Sequence, residues 1–321
     1  MGTPEFAAPS LRMLIDEGYD LAAVVTQPDR PKGRGGKLAS PIIKDIAMQA
    51  GIRVFQPEKP SDIYDEIEAL SIDLCVTAAY GKILRKRFLR IPKLGTINVH
   101  ASLLPLYRGP SPIHMALLNG DAETGVTIML TDAGVDTGPL LMRESVPIAP
   151  EMYFPELHDK LAELGASVLK KAIPAMLSGS VVPKPQDNEL ATCAPIIQKS
   201  DGELDFSMNA DRLVNMVRAF CIWPGAVARV NGTRVRVHRA ENGGRADLPG
   251  MQPGMLPGDI QVNASEGSTH VLPGAIMHVG RSALSILCGD GNLFNITRLQ
   301  LENGRAMNIS ECWHNLPFTY Q

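Results

Sequence analysis

Long apolar runs are missing from this 321-residue chain. No eighteen consecutive apolar residues occur, so a membrane-spanning helix is not expected. The first residues lack a basic segment leading into an apolar one, and no secretory signal is read there. Cysteine is sparse. The five (Cys75, Cys193, Cys221, Cys288 and Cys312) are scattered, odd in number and without a C-x-x-C pair. That argues against a disulfide frame or a thiolate zinc site and suits free thiols in a reducing cytoplasm. Positive charge is not in excess: the net charge is −3, so affinity for nucleic acid would have to be local. No further His or Glu stands at ligand spacing from a candidate His or Asp, so no metal is expected. Internal repeats are absent. So is a strand ahead of the opening turn "MGTPEFAAPSL", where a doubly wound sheet places its first strand. A late chain start, with a central strand missing, is the reading favoured here.

What is present is a β-α alternation. "LAAVVT" (21–26), "IRVF" (52–55), "DLCVTAA" (73–79), "TINV" (96–99) and "VTIML" (126–130) are near-continuous apolar runs, as strands buried on both faces require. Helical candidates at 9–18, 41–50, 61–70, 81–90 and 111–119 separate them; "SPIIKDIAMQA" offers Ser40 as N-cap and Pro41 as first helical residue. The alternation predicts an α/β, doubly wound, Rossmann-like parallel sheet, which binds ligands beyond the carboxyl ends of its strands. A long helix follows at 154–178. The stretch after it mixes Pro, polar and charged residues without period, as a linker does. Then "AVARVNGTRVRVHRAE" (226–241) alternates about Asn231-Gly232, a strong hairpin signal. A smaller antiparallel β-barrel of the oligonucleotide-binding (OB-like) type is expected there. The resulting division is a catalytic domain over 1–183, a linker over 184–203 and an OB-like domain over 204–321.

"TINVHASLLPLYRGPSP" (96–112) leaves a strand and enters a Pro-stiffened loop. Alternate strand residues share a face, so Asn98 and His100 can enter one cleft. An Asn amide donates to a developing oxyanion, and a His carries a proton or stabilises the same charge. Asp136 in "TDAGVDTGPLL" is the best carboxylate to tune that His, flanked by Gly134 and Gly138. Asn, His and Asp together suit acyl transfer through a tetrahedral intermediate. Taken singly, each residue also reads as structure: a strand-end His as hydrogen-bonded scaffold, Asp136 as a turn former, Asn98 as a loop cap.

"NVHASLLPLYRGPSPI", "GDAETGVTIML", "GVDTGPLL", "MGTPEFAAPSL" and "VVTQPDRPKGRGGKL", with "ATCAPIIQKSDGELDF", "MVRAFCIWPGA", "PGAI" and "CGDG" in the second half, resemble the methionyl-tRNA formyltransferase family over essentially the whole chain. The resemblance implies transfer of a formyl group from 10-formyltetrahydrofolate to the amino group of initiator methionyl-tRNA. It makes Asn98, His100 and Asp136 the catalytic trio. Ser102, Leu103, Leu104 and Pro105 become part of the folate pocket, and Ala78 to Gly81 a border of the pterin, unless they are a plain strand-to-helix turn. The Gly-rich basic loop, with Arg30, Lys32, Arg34, Lys37 and Lys44, becomes the arm that probes the acceptor stem, Arg34 foremost. Lys184 and Lys199 would line the path of the RNA, and Arg234, Arg236 and Arg239 would favour phosphate. A cytoplasmic monomer is expected. Three places depart from the family pattern: Leu106, Pro110-Ser111 and Ile222. Rival readings are a formyltransferase acting on an amino-sugar nucleotide, a hydrolase of the formyl donor, a catalytically dead folate or RNA binder, and a His/Asp metal hydrolase; the basic loop, the second domain, the intact trio and the lack of ligand spacing oppose them in turn.

Overall fold

The computed structural model describes residues 1–32, 37–247, 261–264, 267–270 and 272–318. Two compact units divide the chain, one of Met1–Ile113, Ala122–Ala149 and Pro155–Ile196, the other of His114–Asp121, Pro150–Phe154 and Ile197–Gln321. In order, the first half contains α1 (Ala8–Asp16), β1 (Val24–Val25), β2 (Arg30–Lys32), β3 (Lys37–Ala39), α2 (Ile42–Gln49), β4 (Val54–Phe55), α3 (Tyr64–Ala69), β5 (Cys75–Ala78), α4 (Lys86–Leu89), β6 (Thr96–His100), α5 (Pro112–Asn119), β7 (Glu123–Leu130), β8 (Leu140–Pro147) and α6 (Phe154–Leu177).

In the first unit β5, β6, β7 and β8 form a four-stranded sheet in that order, and β1 pairs with β4 in a parallel ribbon. β5 and β6 are parallel, as the alternation requires. The 126–130 run is not: β7 lies antiparallel to both β6 and β8. A parallel return needs a crossover that carries the chain back along the sheet, and the eight-residue α5 does not supply one. The expected helix over 81–90 shrinks to α4. The chain leaves β5 through Ala79 (φ 46°) and Gly81 (φ 76°), left-handed conformations that cannot begin a right-handed helix. At α2 the N-cap is Pro41, not Ser40; the Ser40 hydroxyl instead donates to Asp45 Oδ1 at 2.8 Å.

No strand precedes α1. Met1 and Gly2 alone lie between the ribbon and the larger sheet: Gly2 N–H donates to Val25 O, and Ala78 N–H to Met1 O, each at 3.0 Å. The Met1 amino group reaches Val76 O at 2.6 Å, and its burial pushes its pKa down. Beyond Met1 runs a cavity of about 410 Å³, bordered by residues 21–25 on one side and 72–76 on the other.

The two faces of β6 differ. Ile97 and Val99 are buried, and a Cβ built on Gly165 of α6 would stand 2.8 Å from Val99 Cγ1. Helix α6 therefore packs on that face, through Leu157, Leu161, Val168, Leu169 and Ile173 at three- and four-residue spacing. Asn98 and His100 point the other way.

The second unit adds α7 (Ala210–Phe220), β9 (Ala226–Val230), β10 (Thr233–Arg245), β11 (Gln261–Ala264), β12 (Gly267–His270), β13 (Ile276–Val279), β14 (Leu284–Leu287), β15 (Asn292–Leu301), β16 (Met307–Asn308) and α8 (Ile309–Cys312). Asn231 (φ 46°) and Gly232 (φ 77°) make the β9–β10 hairpin turn as expected, with Val230 opposite Thr233. The sheet runs β13-β14-β15-β10-β9, with β16 on β15. Among the described residues its edge strands do not pair, so this is an open antiparallel sheet, and the expected barrel closure is not found. α7 is capped by Asn209, whose side chain accepts from Arg212 N–H at 2.7 Å, and it buries Leu213, Met216, Val217 and Phe220.

Candidate active site

His100 is almost fully buried, and both of its ring nitrogens are engaged. Nε2 lies 2.9 Å from Tyr107 O. A carbonyl only accepts, so Nε2 carries the hydrogen. Nδ1 faces Asp136 Oδ2 at 3.5 Å. Asp136 also accepts from Gly109 N–H at 2.9 Å through Oδ2, while Oδ1 has no hydrogen bond among the described residues. Its backbone is left-handed (φ 52°), which Asp tolerates better than most residues. Asn98 Oδ1 accepts from Thr77 Oγ1 on β5 at 2.8 Å. That contact turns the amide NH₂, its only donor, away from β5. The ensemble offers a free amide donor, a held imidazole and a carboxylate with one open oxygen.

The loop after β6 is fixed from within. Thr127 Oγ1 donates to Ser102 O (2.7 Å) and accepts from Leu104 N–H (3.1 Å). Ser102 Oγ donates to Leu106 O at 2.6 Å, and Arg143 Nη1 donates to Leu104 O at 3.2 Å. Ser102 and Leu104 are wholly buried, so they shape this loop from inside. Leu103 and Pro105 stay partly exposed, and Leu106 presents an apolar side chain to solvent. Ala79 and Gly81 are exposed on the turn after β5, which Gln27 Nε2 ties down through Tyr80 O at 2.9 Å.

The stretch after residue 184 is no free linker. Lys184 and Leu140 exchange two backbone hydrogen bonds, of 2.7 and 2.9 Å. Arg108 N–H donates to Thr192 O, and Ala194 N–H to Arg108 O. Residues 184–194 thus strap the first unit beside Asp136. Sequence reasoning missed this strap and with it Gln186. It also missed Thr77, Arg108 and Gly109. Only Arg108-Gly109 carried a signal, inside the quoted loop motif.

The basic residues are unevenly available. β2 and β3 pair as an antiparallel arm with Arg30 opposite Ala39 and Lys32 opposite Lys37; Arg34 lies outside the described residues. Arg30 is exposed, 3.7 Å from Glu58. Lys44 is taken by Asp29 at 2.7 Å, and hydrogen bonds from Gln56 and then Lys44 hold that carboxyl below its usual range. Lys184 and Lys199 are exposed. In the second unit Arg234 is exposed, whereas Arg236 donates to Cys221 O and Ile222 O. Arg239 lies 4.8 Å from the Tyr153 ring centre. Unbroken alternation would set Arg239 on the face opposite Arg234 and Arg236; register shifts on either side of it interrupt that alternation, and Arg239 is exposed like Arg234.

Comparison with known proteins identifies the family. Residues 1–173 match the formyl transferase family and residues 196–317 the formyl transferase C-terminal domain. The methionyl-tRNA formyltransferase of Ruminiclostridium cellulolyticum is 42% identical over 313 residues, 97% of this chain and 94% of that protein. That of Caldanaerobacter subterraneus subsp. tengcongensis is 40% identical over 322 residues, 99% and 96% of the two chains. The chain belongs to the methionyl-tRNA formyltransferase family. As a methionyl-tRNA formyltransferase it moves a formyl group from 10-formyltetrahydrofolate to initiator methionyl-tRNA, at the start of translation. The fold is shared more widely. WlaRD, a sugar 3N-formyl transferase, superposes with a TM-score of 0.63 at 17% identity, over 95% of this chain and 97% of that one. The N-formyltransferase of Helicobacter canadensis does so with 0.63 at 16%, over 92% and 96%. In this chain no group of His, Cys, Asp and Glu among the described residues could hold a metal ion. No helix among them is long and apolar enough to cross a membrane.

Proposed function

We propose that Asn98, His100 and Asp136 surround the formyl carbon as it passes from 10-formyltetrahydrofolate to the methionyl amine. The observation that carries this reading is the 3.5 Å approach of His100 Nδ1 to Asp136 Oδ2, the oxygen that also accepts from Gly109 N–H, with Asp136 Oδ1 left open. The amine attacks the formyl carbon, a tetrahedral centre forms, and the bond to the folate nitrogen breaks. Asn98 Nδ2 donates to the oxyanion. Asp136 Oδ1 takes the amine proton, through a water, and the departing folate nitrogen receives one in exchange. His100, anchored by Tyr107 O, sets the carboxylate beside the formyl carbon. Leu103 and Pro105 give the folate a partly exposed apolar wall, next to Leu106; Ser102 and Leu104 hold that wall from inside. The turn from Ala78 to Gly81 borders the pterin.

The β2–β3 arm, with Arg30, Lys32, Arg34 and Lys37, reads the acceptor stem, and Lys184 and Lys199 accompany it. The second unit, whose sheet we assign to the OB-like type, holds the outside of the stem with Arg234. On this reading residues 1–183 carry the chemistry, 184–203 connect, and 204–321 grip RNA, in a cytoplasmic monomer. Single-turnover formyl transfer to charged initiator tRNA tests the site, with an amino-sugar nucleotide as competing acceptor. His100→Ala and Asp136→Asn should each slow the chemical step by roughly 10²–10⁴-fold, the range of general acid–base catalysis, with folate affinity kept. Loss of folate binding at an unchanged transfer rate would sink the assignment.

A further inference from the structure

We propose that Gln186 is a positioning residue for formyl transfer, a four-way clamp that aims Asp136 at His100. Its amide Nε2 donates to Asp136 O and to Gly138 O, both at 2.8 Å. Its Oε1 accepts from Arg108 Nε at 3.0 Å and Arg108 Nη2 at 2.8 Å. Both hydrogens and both lone pairs of the amide are therefore used. Arg108 Nη2 is shared with Asn188 Oδ1 at 2.9 Å, so the guanidinium is itself pinned to the strap. The neighbouring Gly109 N–H holds the Asp136 carboxylate, and Tyr107 O holds the His100 ring. One side chain thus connects the loop that anchors the imidazole to the loop that carries the carboxylate.

The identity of the residue follows from the contacts. Two carbonyls demand two donors, and a guanidinium edge demands an acceptor. Glu keeps the shape but turns an oxygen toward two carbonyls, Lys offers no acceptor, and Asn is one methylene short. The clamp also bears on the one left-handed backbone in the trio, at Asp136 (φ 52°). A residue held there needs its surroundings to fix it.

This inference rests on the reading of Asp136 given under the proposed function, and the test separates the two. Single-turnover rates and KM for both substrates are measured in the full chain for Gln186→Ala, Asp136→Ala and the double variant. The expected result is a fall of about 10–100-fold in the transfer rate for Gln186→Ala, with little change in either KM. In the Asp136→Ala background the same substitution should cost nothing further, because nothing is left to aim. Equal losses in both backgrounds, or a change confined to KM, overturn the clamp. Full activity of Asp136→Ala overturns the underlying reading and the clamp together. Should Gln186→Ala not fold, Arg108→Lys, which removes the fork from Oε1 and keeps the charge, is read in the same cycle.

Discussion

Fusing five Val/Ile-rich residues ahead of Met1 should lay an added strand in the cavity between residues 21–25 and 72–76 and raise the first unit's stability. The structure sets the magnitude. At about 3.3 Å per residue, five residues run roughly 16 Å back along residues 72–76, through the cavity that those residues share with 21–25. Each buried Val or Ile gains about 2 kcal/mol. Ordering its backbone and side chain costs about the same. What remains is the ladder to two neighbours, at about 1 kcal/mol net per residue, or about 5 kcal/mol in all. For a unit of this size each kcal/mol shifts the melting midpoint by about 2–4 °C, so a rise of roughly 10–20 °C is expected. A Gly/Ser extension of equal length is the control. It too converts the buried Met1 amine into an amide, so the difference between the two isolates the strand. Calorimetry gives the midpoints, and hydrogen exchange reports whether the added amides are protected. Identical midpoints for the two extensions, or added amides that exchange at once, would refute the reasoning.

Gly138→Ala would place a Cβ 1.8 Å from Leu130 O; backbone must move, so a loss of roughly 3 kcal/mol is expected, and an unchanged thermal midpoint would remove the steric argument. Half-buried His238, 3.2 Å from Gln300 Oε1, has its pKa lowered, chiefly by burial. Its folded value lies below the unfolded one, so its contribution is complete above about pH 6.5 and lost as pH falls through the folded value. Urea midpoints of the second unit should therefore decline between about pH 7 and pH 5, and His238→Gln should flatten that decline; equal slopes would contradict it.

What the sequence made legible was what local pattern controls. β6 could be read because "TINV" is a short apolar run and alternate residues of a strand share a face, which puts Ile97 and Val99 under α6 and Asn98 and His100 opposite. The hairpin at Asn231-Gly232 could be read because its positive φ values are a property of those two residues. α6 could be read because its buried stripe repeats over twenty-four residues. The direction of β7 could not, since an apolar strand reads alike in either sense and only the connection through α5 decides. The strap was missed for a related reason. Residues 184–194 have no period because their one regular element is a single 3-10 turn, Asn188–Leu190; their hydrogen bonds go to Leu140, Arg108, Asp136 and Gly138, partners as much as 86 residues away in sequence, from Ala194 to Arg108. A residue proposed to act chemically announces itself by its type, as Asn98, His100 and Asp136 do. One proposed to act by holding another, as Gln186 is, remains an ordinary amide until the chain is folded around it, so the pattern of failure is itself physical: candidates marked by their own residue type were visible, and contacts between distant pairs were not.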